Sequence, residues 1–110
     1  MNIELQNAFR ALADPTRRSI LLHLRAKDMT IAEVSTHFDI TRAAVKKHLI
    51  ILEEGDLISA RKIGRETINH LEPAGLTSVA SWVNYFSEFW DTKLENLSIA
   101  LDNEGANSNE

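Results

Sequence analysis

Six basic side chains in two short windows are the residues most suited to chemistry in this sequence: Arg42, Lys46 and Lys47, then Arg61, Lys62 and Arg65. Ammonium and guanidinium groups neutralise phosphate, and an arginine fork pairs with guanine O6 and N7 in a duplex major groove. The chain as a whole opposes such a reading, because its 12 Lys and Arg are outnumbered by 16 Asp and Glu, giving a net charge of −4 over 110 residues. That average hides a segregation. Residues 10–70 hold eleven of the twelve basic residues but eight of the acids, an excess of three positive charges, so the acidic surplus lies outside them. Glu53, Glu54 and Asp56 separate the two basic windows, a pattern that a solvated surface also produces. The elements that carry the charges decide between the two.

Other chemistries have little support. The chain has no cysteine, which removes disulfides, thiolate metal sites, redox switching and cysteine nucleophiles. His23, His37, His48 and His70 fall in separate segments, with no ligand pair at helical spacing. Glu88, Asp91 and Glu95 follow helical spacing but read as a solvated acidic face rather than a hard-cation site. No nucleophile with a base, carboxylate pair or phosphate-cradling glycine loop has supporting spacing, so no catalytic residue, metal or cofactor is expected, and the protein is not expected to be an enzyme. No apolar run approaches the ~18 residues of a membrane span, and the first residues lack the apolar core of an export signal. The expected location is the cytoplasm.

The composition, 44% hydrophobic and 25% charged, is that of one small globular domain. It is expected over residues 1–101, followed by a disordered tail at 102–110, DNEGANSNE, which lacks large apolar residues. A first helix carrying Ile3, Leu5, Phe9 and Leu12 stops at Asp14-Pro15, where Asp14 caps a second helix with Pro15 at its first position. Thr30 and Glu33 form a capping box that opens a short third helix through Val34 to about Phe38. After a turn at Asp39-Ile40, Thr41 caps a fourth helix with Val45, Leu49 and Leu52 on its apolar side, and Gly55 ends it, a place where positive φ is often needed. Two short helices joined by a tight turn outline a helix-turn-helix. Residues 57–63 and 66–71 are rich in β-branched residues and read as a hairpin turning at Gly64-Arg65. Beyond Pro73 apolar residues recur every three or four from Leu76 to Leu101, a helix of ~40 Å. The expected fold is mainly α with a small β-hairpin, a winged helix-turn-helix in the order α-α-α-α-β-β-α.

With Val45, Leu49 and Leu52 facing the core, Arg42, Ala43, Lys46 and Lys47 take the opposite face of the fourth helix. Arg42 and Lys46 suit guanine O6 and N7, Ala43 a thymine methyl, and Thr41 and Lys47 phosphate. Arg61, Lys62 and Arg65 sit at the hairpin tip, where Arg65 is the candidate for the minor groove. Arg17 and Arg18 are candidates for phosphate, although one could instead pair with Asp14 or Glu33 inside the molecule. One module offers few contacts, so two copies on a pseudo-palindrome are expected, about one duplex turn apart. The last helix holds five of the seven aromatics, and together with the first it supplies the expected dimer surface: Leu5, Phe9, Val83, Phe86, Trp90, Leu94 and Leu97. A small-molecule inducer is not determined by these residues.

The stretches ALADPTRRSILLHL (11–24), TRAAVKKHL (41–49), ILEEGDLISARKIGRETINHL (51–71) and FWDTKLENL (89–97) together resemble the bacterial ArsR-type, or arsenic-repressor, family. The resemblance implies a homodimeric transcriptional repressor of double-stranded DNA, and the FWDTKL ending is similar to small members that often repress their own promoter. It also implies a backbone contact for His48, whose VKKHL setting is similar to a family helix in which a histidine sits near the DNA. Metal-sensing members carry cysteines at positions that match Thr30 and Ala32 here, or Asp and His pairs on a last helix that has no histidine here, which identifies this chain with a non-metal-sensing subgroup. The competing reading is a winged-helix adaptor that binds only protein, a role suited to the acidic balance.

Overall fold

Capping chemistry sets where the helices start. In the computed structural model, which describes residues 2–108 and side chains as far as Asn103, Asn2 Oδ1 accepts from Leu5 N at 2.7 Å and opens α1 (Ile3–Leu12). Asp14 Oδ2 accepts from Arg17 N at 3.1 Å and opens α2 (Pro15–Ala26), with Pro15 where the missing N–H has no helical partner to lose. The Thr30–Glu33 capping box is formed in both directions at 3.1 Å and opens α3 (Ile31–Ser35). Thr41 Oγ1 accepts from Ala44 N at 3.1 Å and opens α4 (Arg42–Glu54).

The hairpin is β2 (Ile58–Ile63) and β3 (Glu66–Leu71), and Gly64 takes φ 62° at the first turn position, where a side chain would be strained. A third strand, β1 (Met29–Thr30), pairs with β3, so the antiparallel sheet runs β1-β3-β2. This strand is an addition to the expected order. Two residues are too few to show a period, and its pairing to Ile68 and Asn69 is long-range. Asn69 is buried there, its Nδ2 donating to Met29 O at 3.2 Å, which satisfies a polar group that would otherwise destabilise the core.

Two units divide the chain, Met1–Val79 and Ala80–Glu110. In the first, Ile20, Val34, Val45, Leu52 and Leu57 are fully buried among Ala11, Leu24, Leu49 and Ile58. Val45, Leu49 and Leu52 are the expected buried face of α4. Gly55 ends α4 for a reason other than the positive φ expected: its φ is −86°, and the positive value falls on Asp56, at 57°. A Cβ at Gly55 would stand 2.9 Å from Asn7 O, so glycine is required for the close approach of α1. Gly75 is tighter still. Its Cβ would lie 2.3 Å from Gly55 O, and its N–H donates to Asp56 O at 2.9 Å.

The last element is α5 (Pro73–Ser108). It continues past Leu101, where the apolar periodicity ends, because the following residues include no proline and helical hydrogen bonding does not need an apolar stripe. The tail expected to be disordered is therefore helical as far as Ser108, and residues 109–110 lie outside the described residues.

Candidate nucleic-acid interface

The buried face of α4 determines what its other side presents. Thr41, Arg42, Ala43, Lys46 and Lys47 are all exposed, while Ala44 is half-buried. Among the described residues the ion pairs are Arg10–Glu54 at 3.7 Å, Lys27–Glu33 at 3.6 Å and His70–Asp28 at 2.7 Å, and none uses a lysine or arginine of α4 or the hairpin. Glu54, the last residue of α4, is engaged by Arg10 of α1. Thr41 Oγ1 accepts the Ala44 amide, which leaves its hydroxyl proton to donate outward. The first-turn amides of Arg42 and Ala43 have no intrahelical acceptor, so this end of α4 offers donors as well as charge.

On the hairpin the structure separates what the sequence grouped. Arg61 stands opposite Ile68, on the sheet face that also carries Ser59 and His70, whereas Lys62 stands opposite Thr67 on the other face, and Arg65 is in the turn. All three are exposed. The base of the hairpin is held by His70 Nδ1 on Asp28 Oδ1 at 2.7 Å and by Ser59 Oγ donating to Glu72 Oε1 at 2.9 Å. With Arg61 these residues line a polar cavity of about 290 Å³.

Arg17 and Arg18, both candidates for phosphate, are occupied within the molecule. Arg17 donates from Nε to Ala11 O at 2.8 Å and from Nη2 to Arg10 O at 3.0 Å, and its Nη1 lies 3.2 Å from His48 Nδ1. Arg18 Nη1 donates to Leu12 O at 2.7 Å. The carbonyls at the end of α1, not the carboxylates of Asp14 and Glu33, are the main guanidinium partners, because the last turn of a helix leaves its C=O groups unsatisfied. Asp14 is held below the usual carboxylate range, first by the Arg17 N–H, with the Arg17 side chain adding attraction. Glu33 is lowered as well, first by the Thr30 N–H.

Sequence reasoning missed the pairing of the histidines. His23 stacks on His37 with ring centroids 4.0 Å apart, His48 meets Arg17, and His70 meets Asp28. Only the DPTRR run hinted at the second of these, by placing two arginines just after a helix end. Among the described residues no group of three or more His, Cys, Asp or Glu could hold a metal ion. No described helix is long and apolar enough to cross a membrane.

Of the expected dimer residues, Leu5 and Phe9 in α1 are half-buried. In the second unit Val83, Phe86, Trp90, Leu94 and Leu97 are exposed by 38–59%. Trp82, Val83, Phe86 and Trp90 line a shallow groove of about 480 Å³ along α5. Phe86 lies 4.8 Å from Trp82 and 5.3 Å from Tyr85 by ring centroid, forming a continuous aromatic strip. Such a strip, open to water in a single chain, is larger than the scattered apolar residues of an ordinary surface.

Residues 12–60 match a family described as a helix-turn-helix domain. The chain is similar to the transcriptional repressor SdpR of Bacillus subtilis, at 33% identity over 90 residues that cover 82% of this chain and 100% of that protein. It is similar to the HTH-type transcriptional regulator Rv2034 of Mycobacterium tuberculosis, at 31% identity over 98 residues and 89% of each. Among solved structures, that of an ArsR family transcriptional regulator superposes with a TM-score of 0.75 at 34% identity, covering 80% of this chain and 91% of the other.

Proposed function

This chain belongs to the ArsR family of winged helix-turn-helix transcriptional regulators, and from that premise we propose that it is a repressor acting as a homodimer on a pseudo-palindromic operator in double-stranded DNA. The observation that carries the reading is the set of exposed lysines and arginines on α4 and the hairpin, free of ion pairs among the described residues of a chain whose net charge is −4. An acidic protein that leaves six lysines and arginines free of ion pairs on the two elements a winged helix brings to a duplex is arranged for a polyanion.

In this reading α4 enters the major groove. Arg42 reads guanine through O6 and N7, Lys46 donates to the same atoms, and Ala43 meets a thymine methyl. Thr41, Lys47 and His48 fix the register by donating to phosphates. Arg61 and Lys62, on opposite faces of the hairpin, flank the backbone while Arg65 enters the minor groove. A second copy packs its α1 and α5 against the first through Leu5, Phe9, Val83, Phe86, Trp90, Leu94 and Leu97, which sets two recognition helices about 34 Å apart. Control of its own promoter is part of the proposal.

The test is selection of bound fragments from random duplexes, followed by fluorescence anisotropy of the winner across salt. A palindromic winner whose affinity falls steeply with salt supports the repressor, because counterions leave each neutralised phosphate. Equal, weak binding of every fragment refutes it and favours the protein-binding adaptor.

A further inference from the structure

We propose that Arg17 is a positioning residue for DNA binding: it holds His48 with Nδ1 as the acceptor, which leaves Nε2 as the ring's N–H donor, and it fastens the recognition helix to the end of α1. The inference rests on the DNA-binding reading above and adds to it a residue, far away in sequence, that prepares a phosphate contact.

A guanidinium has five N–H donors, no acceptor and a permanent charge, so a ring nitrogen 3.2 Å from Arg17 Nη1 has to present a lone pair. Nδ1 of His48 is therefore unprotonated, and a neutral imidazole then carries its hydrogen on Nε2. The tautomer is what matters for function, since only an N–H can donate to a phosphate oxygen. Arg17 is itself immobilised. Its Nε and Nη2 hold Ala11 O at 2.8 Å and Arg10 O at 3.0 Å, so the planar fork is fixed at three points. Its backbone N–H donates to Asp14 Oδ2 at 3.1 Å, so the arginine is held at its main chain as well.

The same contact joins helices. His48 precedes the buried Leu49 and follows Lys46 and Lys47, so holding its ring fixes the rotation of α4 about its axis. Arg10–Glu54 and the approach of Gly55 to Asn7 join α1 and α4 nearer the other end. Two separated attachments prevent α4 from pivoting, and α1 is one of the elements assigned to the dimer. Spacing between half-sites then passes from the dimer to the recognition helix through Arg17.

Long-range proton–nitrogen correlation of the ¹⁵N-labelled full chain reads the tautomer directly at a pH where histidines are neutral. The wild type is expected to show His48 Nδ1 unprotonated and Nε2 protonated, and Arg17→Gln to show exchange between tautomers. On the selected operator, Arg17→Gln and His48→Phe are each expected to weaken binding by roughly tenfold or more, as loss of a charge-assisted hydrogen bond does. The double variant should lose little beyond the larger single loss, because the phosphate contact that Arg17 prepares is the one His48→Phe deletes. His48→Phe leaves Arg17 on α1, so a loss of affinity there cannot come from unfastening the α1 carbonyls. A protonated Nδ1 in the wild type overturns the proposal, as do losses that simply add. A wild type with the expected tautomer that binds no duplex refutes the DNA reading instead, and with it the role assigned to Arg17.

Discussion

Replacing Trp90 by alanine should convert a dimer into a monomer at concentrations where the wild type is fully paired. An aromatic side chain buries roughly 150–250 Å² when fully enclosed, and Trp90 is 58% exposed in the single chain, so a partner has on the order of 100 Å² of it left to cover. At about 25 cal/mol per Å² that is roughly 2–3 kcal/mol in each copy. A two-fold interface uses each residue twice, so the variant loses about 4–6 kcal/mol, a 10³–10⁴-fold weaker dimer. Sedimentation equilibrium over a dilution series reads that change, with far-ultraviolet circular dichroism as a fold control. The Trp90 substitution should leave the fold of residues 1–79 intact, since it lies in the other unit. A variant that folds and dimerises within threefold of the wild type would refute the assignment of this face to a second copy.

Further substitutions test other links. Arg42→Ala should cost about 1–3 kcal/mol on the selected operator and relax preference at one base pair, whereas Lys47→Ala should weaken all duplexes alike and lower the salt slope by about one, both readable by anisotropy. Gly75→Ala, whose Cβ would stand 2.3 Å from Gly55 O, should destabilise the fold by about 1–3 kcal/mol in urea denaturation, and a melt unchanged from wild type would contradict the packing described. Asp14 and Glu33 both have carboxyls lowered by capping bonds, so the stability they confer is present above the ordinary carboxylate range and is lost as pH falls through their lowered values. Asp14→Asn keeps a capping oxygen without the charge and should flatten that acid limb of a pH–stability curve.

What the sequence made legible is what acts over three or four residues. The caps at Asp14, Thr30 and Thr41 and the buried row Val45, Leu49 and Leu52 obey helical spacing, and the Gly64 turn is a local backbone requirement. The exposed basic windows follow, because fixing the buried face of α4 fixes its opposite. Contacts between distant segments were beyond reach. His48 meets Arg17 across 31 positions and His70 meets Asp28 across 42, and no local period encodes either. The same holds for β1, whose two residues exist as a strand only through β3, and for Gly55, whose small size answers to α1 rather than to its own φ.

In the proposed repressor the exposed face of α4 reads DNA while another surface holds the dimer. Charge reversal by Arg42→Glu with Lys46→Glu, followed in parallel by operator anisotropy and by sedimentation mass, tests both halves at once. Specific binding should disappear while the mass stays that of a wild-type dimer. A reversed variant that still binds the operator with the wild-type affinity and salt slope would contradict it.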